Sequence, residues 1–127
     1  MIAADTNVLL RAILDDDAVQ SPLARNRLQE EDQVFILPVV LCELVWVLKQ
    51  HLWSRAQIGE VVRTLVSASN VRVDTLLVDT GLAFLERGGR FADGVILHHA
   101  RASGCDALLT FDQTLARLGA PDVTLVS

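Results

Sequence analysis

Met1-Ile2-Ala3-Ala4-Asp5-Thr6-Asn7-Val8-Leu9-Leu10 is the stretch on which the fold turns. Met1 to Ala4 is apolar without polar alternation, as suits a strand buried on both faces of a parallel sheet. It stops on an acid. Asp5, Thr6 and Asn7 all carry side chains that accept hydrogen bonds from free backbone N–H groups. Val8, Leu9, Ala12 and Ile13 then follow at helical spacing, so the order is strand, turn, helix. In open α/β sheets ligands bind outside the carboxyl ends of the strands, which is where Asp5 falls. Capping the helix is the plainer role open to it.

Working outward, the same alternation continues to the end of the chain. Asp15-Asp16-Asp17 reads as a solvated loop, and Ser21-Pro22 restarts a helix with Ser21 as cap. Val34 to Leu37 is a second strand of continuous apolar type. Pro38 opens a helix to Gln50 that is apolar all round and therefore expected to be buried. Ser54 caps a further helix over residues 55–68, which makes a helical hairpin with the one before it. Val71 to Val73 alternates like a short strand. A helix over residues 76–87 turns Leu77, Leu82, Ala83 and Leu85 inward and ends at Gly88-Gly89. Phe91 begins another, with Ala92, Val95, Ile96 and Ala100 as its apolar set. Residues 107–109 form a short buried strand, residues 113–118 a short helix and residues 123–126 a last strand. Strands alternating with helices predict an α/β fold, a three-layer α/β/α sandwich around a central, mostly parallel sheet.

The chain has 127 residues, which suits a single domain spanning 1–127. Lys+Arg 11 against Asp+Glu 16 leaves a net charge of -5, which argues against tight nucleic-acid binding by charge alone. Lys49 is the only lysine. No basic, apolar leader pattern opens the sequence and no stretch has the length of a membrane span, so a cytoplasmic protein with no membrane association is expected. Cys42 and Cys105 are expected to be buried as small hydrophobes. Trp46 and Trp53 suit either the core or a subunit interface.

Four acids stand out. Asp5 and Asp112 follow strands, and Glu43 and Asp93 lie in the early turns of helices that begin beside strand ends. Glu43 lies within an apolar helix, where an unpaired buried carboxylate would cost several kcal/mol, of order. A metal ligand, or a partner of an arginine, is the reading this suggests. Helix-start electrostatics alone could account for Asp93. His98 and His99 fit a solvent-facing flank better than ligands. If all four acids face one crevice, a hard divalent cation, Mg2+ or Mn2+, is what relieves their repulsion. Such an ion activates a water for attack on a phosphodiester. Thr6, Asn7 and Thr110 are then candidates for orienting ligands and water.

The motifs Ile2-Ala3-Ala4-Asp5-Thr6-Asn7, Leu41-Cys42-Glu43-Leu44, Phe91-Ala92-Asp93-Gly94-Val95-Ile96 and Leu109-Thr110-Phe111-Asp112 resemble, in that order, the acidic motifs of PIN-domain ribonucleases. The length resembles the VapC-type toxins of bacterial toxin-antitoxin pairs. The resemblance implies a PIN-like fold with a protruding helical hairpin. It also implies a metal-dependent endoribonuclease using Asp5, Glu43, Asp93 and Asp112 on an RNA substrate, a homodimer, and a cognate antitoxin that occludes the site. Gly94, directly after Asp93, departs from what a helix prefers by about 1 kcal/mol. A haloacid-dehalogenase-type phosphatase would need a second acid at Asn7, and a phospho-accepting receiver a lysine after a late strand; neither is present. The remaining alternative is a noncatalytic PIN-like scaffold that binds RNA or protein, against which the four retained acids count.

Overall fold

A computed structural model describes all residues, 1–127, and divides into two compact units, residues 1–73 and 74–127. It is an α/β fold in which every strand pairing is parallel and helices flank the sheets.

The first unit begins with β1 (Ile2–Ala3) and passes directly through Asp5 into α1 (Thr6–Leu14). α2 (Gln20–Glu30) follows, then β2 (Val34–Phe35), α3 (Pro38–Gln50), α4 (Arg55–Ser67) and β3 (Val71–Arg72). β2 is the middle strand, with Ile2 opposite Val34 and Val34 opposite Val71. The five-residue loop before α2 is closed by Asp17, whose Oδ1 accepts the N–H groups of Val19 and Gln20 at 2.9 and 2.7 Å. Ser21, expected as the cap, is instead fully buried inside the helix and accepts the Asp17 N–H through its hydroxyl. Asp15 and Asp16 of the acidic loop pair with Arg25 and Arg11. Ser54 caps α4 as expected and exchanges bonds reciprocally with Gln57, which satisfies two otherwise free donors. Asn70 donates its amide to the carbonyls of Leu28 and Glu31, tying the entry to β3 to the end of α2.

α3 has the expected bounds but not the expected burial. Val40, Leu41, Leu44, Val45 and Leu48 are buried, whereas Val39 and Trp46 are 62% and 63% exposed, with Glu43 exposed between them. Positions 39, 43 and 46 share one helical face, so a helix that reads as apolar all round in fact has an open side. Trp46 is therefore not core, and Trp53 is half-buried.

The second unit comprises α5 (Thr75–Glu86), α6 (Phe91–Ala102), β4 (Leu108–Thr110), α7 (Gln113–Leu118) and β5 (Val123–Leu125). β4 and β5 pair parallel, Leu108 opposite Val123. Phe84, Leu97, Leu115, Leu118 and Val123 form its core. Phe84 and Leu97 take the buried places expected of Ala83 and Ile96, both of which are exposed. Leu109, expected in a buried strand, is 67% exposed, because successive strand residues face opposite sides and Leu108 takes the core side. Cys105 is exposed rather than buried, and Cys42 half-buried; both are free thiols. Burial pushes the Cys42 thiol pKa up.

α5 and α6 pack glycine against glycine. A Cβ on Gly94 would lie 2.6 Å from the Thr80 carbonyl oxygen and 2.8 Å from Gly81 Cα, and one on Gly81 would meet the Phe91 ring at 2.6 Å. Gly94, anomalous by helix propensity, is thus required by the closeness of the two backbones. No helix is long and apolar enough to cross a membrane.

Candidate active site

Each unit carries two of the four acids. In the first, Asp5 leaves β1 in extended conformation and its carboxylate accepts the N–H of the next residue, Thr6, at 2.8 Å. An ordinary cap would reach the second or third N–H of the helix. The Asp5 side chain is exposed, with its second oxygen given no partner by α1. Thr6 is buried, and its Oγ1 has no hydrogen-bond partner. A buried hydroxyl left unpaired costs on the order of 1–3 kcal/mol and calls for a functional account. Asn7 is exposed. Glu43 lies in the second turn of α3 on the open face, and no salt bridge engages it. Its carboxylate remains in water and needs no partner, so neither a metal nor an arginine follows from the cost of burying it.

In the second unit, Asp112 repeats the placement of Asp5 at the exit of β4 but caps more conventionally. Its Oδ1 accepts the Leu115 N–H, the third of α7, at 3.0 Å. Its own N–H donates to Thr110 Oγ1 at 3.0 Å, so Thr110 fixes the backbone of Asp112. Asp93 occupies the third position of α6 and is the most buried of the four, with a side chain 8% exposed. Both of its oxygens are taken by Arg90: Nη2 donates to Oδ1 at 3.0 Å and Nε to Oδ2 at 3.3 Å. Hydrogen bonding and charge attraction to Asp93, aided by the charge of Asp112, hold the Arg90 pKa above its ordinary value, while its slight burial opposes them. Asp93 and Asp112 therefore act on one cationic group.

His98 is half-buried, with Nε2 3.4 Å from Asp74 Oδ2, and His99 is exposed. Asp74 in turn caps α5 by accepting the Leu77 N–H. His98 is thus tied to the start of α5 rather than solvent-facing as expected, whereas His99 faces solvent as expected. Within neither unit do three or more acidic, histidine or cysteine side chains gather into a group able to hold an ion.

Arg90 is the residue that sequence reasoning passed over. Its signal was available: an arginine where Ser, Thr, Asp or Asn usually caps a helix, three residues before an acid.

The PIN domain family model matches residues 2–121, and the chain belongs to that family. Members of the family are in general metal-dependent nucleases and bind divalent metals. No curated protein matches the chain.

The donor set suits such an ion. All four candidates are carboxylates, the hard oxygen ligands that Mg2+ and Mn2+ prefer. Within the first unit, the hydroxyl of Thr6, beside Asp5, is buried without a partner, as a group that meets a ligand or a bound water would be.

Proposed function

We propose that the chain is a single PIN domain acting as a metal-dependent endoribonuclease, in which Asp5, Glu43, Asp93 and Asp112 hold Mg2+ or Mn2+. The observation that carries this reading is Asp93, a carboxylate buried in the first turn of α6 within the matched span. A buried carboxylate is tolerated where a cation answers it, and here the only one that does is the side chain of Arg90, whose own end lies in solvent and can give way. A bound divalent ion would supply a water of lowered pKa and neutralise the leaving oxygen. The chain's own residues do the rest. Asp93 and Asp112 present their oxygens from positions fixed by α6 and by the Thr110 bond, and Asp5 presents a carboxylate that α1 uses only lightly. Thr6 and Asn7 stand next to Asp5 to orient ligand or water. Glu43 enters from an exposed helical face, free of any ion pair that would have to break.

The size and motif order favour the toxin of a type II toxin-antitoxin pair, VapC-like, working in the cytoplasm as a homodimer under the control of an antitoxin. The exposed Val39, Glu43 and Trp46 face of α3 is where a covering chain would remove both apolar surface and a candidate ligand.

The test is cleavage of total cellular RNA with Mn2+, with Mg2+ and with excess chelator, using the parent and Asp5→Asn. Cleavage with either metal, lost in chelator and in the variant, is expected. Persistence in both conditions sinks the metal mechanism, and no cleavage by the parent under any condition supports a noncatalytic scaffold. Co-expression with the neighbouring open reading frame should relieve any growth arrest and yield a co-purifying complex; a strictly monomeric protein indifferent to that product removes the toxin assignment.

A further inference from the structure

Arg90 stands where a helix cap stands, but it carries no acceptor and makes no capping bond. Its guanidinium instead turns along the first turn of α6 and forks onto both oxygens of Asp93. The two partners are unequally placed: the Asp93 side chain is 8% exposed and that of Arg90 68% exposed. One end of the pair is thus fixed in the protein, and the other is held by a flexible stem reaching in from water. A lysine would offer a point charge; the arginine fork engages the two carboxylate oxygens at once. A divalent ion bonded to Asp93 needs one of those oxygens at close range, and its double charge repels a guanidinium at the same carboxylate. The two cations therefore compete for one group.

We propose that Arg90 is a built-in counter-cation that holds Asp93 in the metal-free protein and yields it to a divalent ion. The idea rests on Asp93 being a metal ligand. It explains how a buried carboxylate is kept without an ion, and it makes metal loading an exchange of partners. Because the arginine end is exposed, its guanidinium can swing into water when an ion takes its place at Asp93.

The experiment is calorimetric titration of Mn2+ into the metal-free parent, Arg90→Gln, Arg90→Lys and Asp93→Asn, with circular dichroism to verify the fold of each. Arg90→Gln should bind Mn2+ roughly two- to fivefold more tightly than the parent, in keeping with removal of one competing ion pair. Its metal-free melting temperature should be lower, and the gap to the parent should narrow in saturating Mn2+. Arg90→Lys, which keeps the charge and loses the fork, should fall between. Folded Arg90→Gln with unchanged or weaker Mn2+ binding overturns the proposal, and so does Arg90→Lys binding as weakly as the parent if Arg90→Gln proves unfolded. Asp93→Asn separates the two levels. If it retains the parent's Mn2+ affinity, Asp93 is not a ligand and the metal site itself is misassigned. If it loses binding while Arg90→Gln gains none, the site stands and the competition alone fails.

Discussion

The two units place an aspartate at the exit of a parallel strand and then use it differently. Asp112, in the second unit, gives an oxygen to the third N–H of α7 and has its own backbone held by Thr110. Asp5, in the first, reaches only the adjacent N–H of Thr6 and stands beside an unpaired buried hydroxyl. One aspartate is bound into its helix start, and the other is scarcely used by it. A strand-end acid that its helix does not need is a stronger candidate for chemistry than one that the helix would keep in any case.

Loss of activity is where the largest effects fall. Asp5→Asn and Asp93→Asn should each lower metal-dependent RNA cleavage by at least about a hundredfold, since even partners of ligands typically cost ten- to a hundredfold when removed. Initial cleavage rates in Mn2+ measure it. Small losses in both variants would mean that neither acid is needed for chemistry, and the light use of Asp5 by its helix would then have no functional meaning.

Helix packing distinguishes the units by a few kcal/mol. In the second, a methyl at Gly94 would press on the backbone of α5 at Thr80 and Gly81. In the first, a methyl at Gly59 in α4 would meet only the tip of the Arg63 side chain, at 3.4 Å. Gly94→Ala should therefore destabilise by about 1–3 kcal/mol despite its better helix propensity. Gly59→Ala should stabilise by up to about 1 kcal/mol. Urea melts of the two variants should move in opposite directions, and a Gly94→Ala protein as stable as the parent or more so would show that the α5 and α6 backbones are not held at this spacing.

Stability should separate the strand-end aspartates more gently. Asp112→Ala should cost about 1 kcal/mol, as the loss of a true cap does. Asp5→Ala should cost only a few tenths, since its bond to the next N–H adds little to what the chain already makes. The same urea melts, performed in chelator so that no ion contributes, give both values. A larger loss for Asp5→Ala would make it a structural cap and weaken its place in the site.

These contrasts also mark what could be read from residues alone. Asp5, Asp112, Ser54 and the bounds of α3 announce themselves because capping chemistry and apolar runs are local. The exposure of Glu43, Trp46 and Leu109 does not, since which face of an element meets a neighbour depends on where that neighbour lies. Gly94 is a misfit by propensity and becomes intelligible only beside Gly81, thirteen positions earlier in sequence. Arg90 was hidden for another reason. Counting lysines leaves the acids without a counter-charge, whereas the arginine that answers Asp93 occupies a cap position where no cation is looked for.

The smallest expected effect extends the comparison to a third aspartate. Asp17 sits before α2 as Asp5 and Asp112 sit before α1 and α7, but it accepts two backbone N–H groups, from Gln20 and Val19. Those two bonds, the Gln20 bond first, hold its pKa below the ordinary 3.8, with a further contribution from the charge of Arg11 and some opposition from desolvation. A carboxylate whose folded pKa is depressed adds stability that is fully present above its unfolded pKa and is lost as pH falls through the folded value. Asp17 should thus steepen the acid destabilisation of the protein below about pH 4, and Asp17→Asn should flatten it there. Near neutral pH the variant should differ only slightly, because asparagine accepts the same two N–H groups through its amide oxygen. The measurement is melting temperature against pH from 7 down to about 3, in chelator, for the parent and Asp17→Asn. Curves that stay parallel to the acid end would mean that the two N–H bonds survive equally well in the unfolded chain, and α2 would then begin without any help from Asp17.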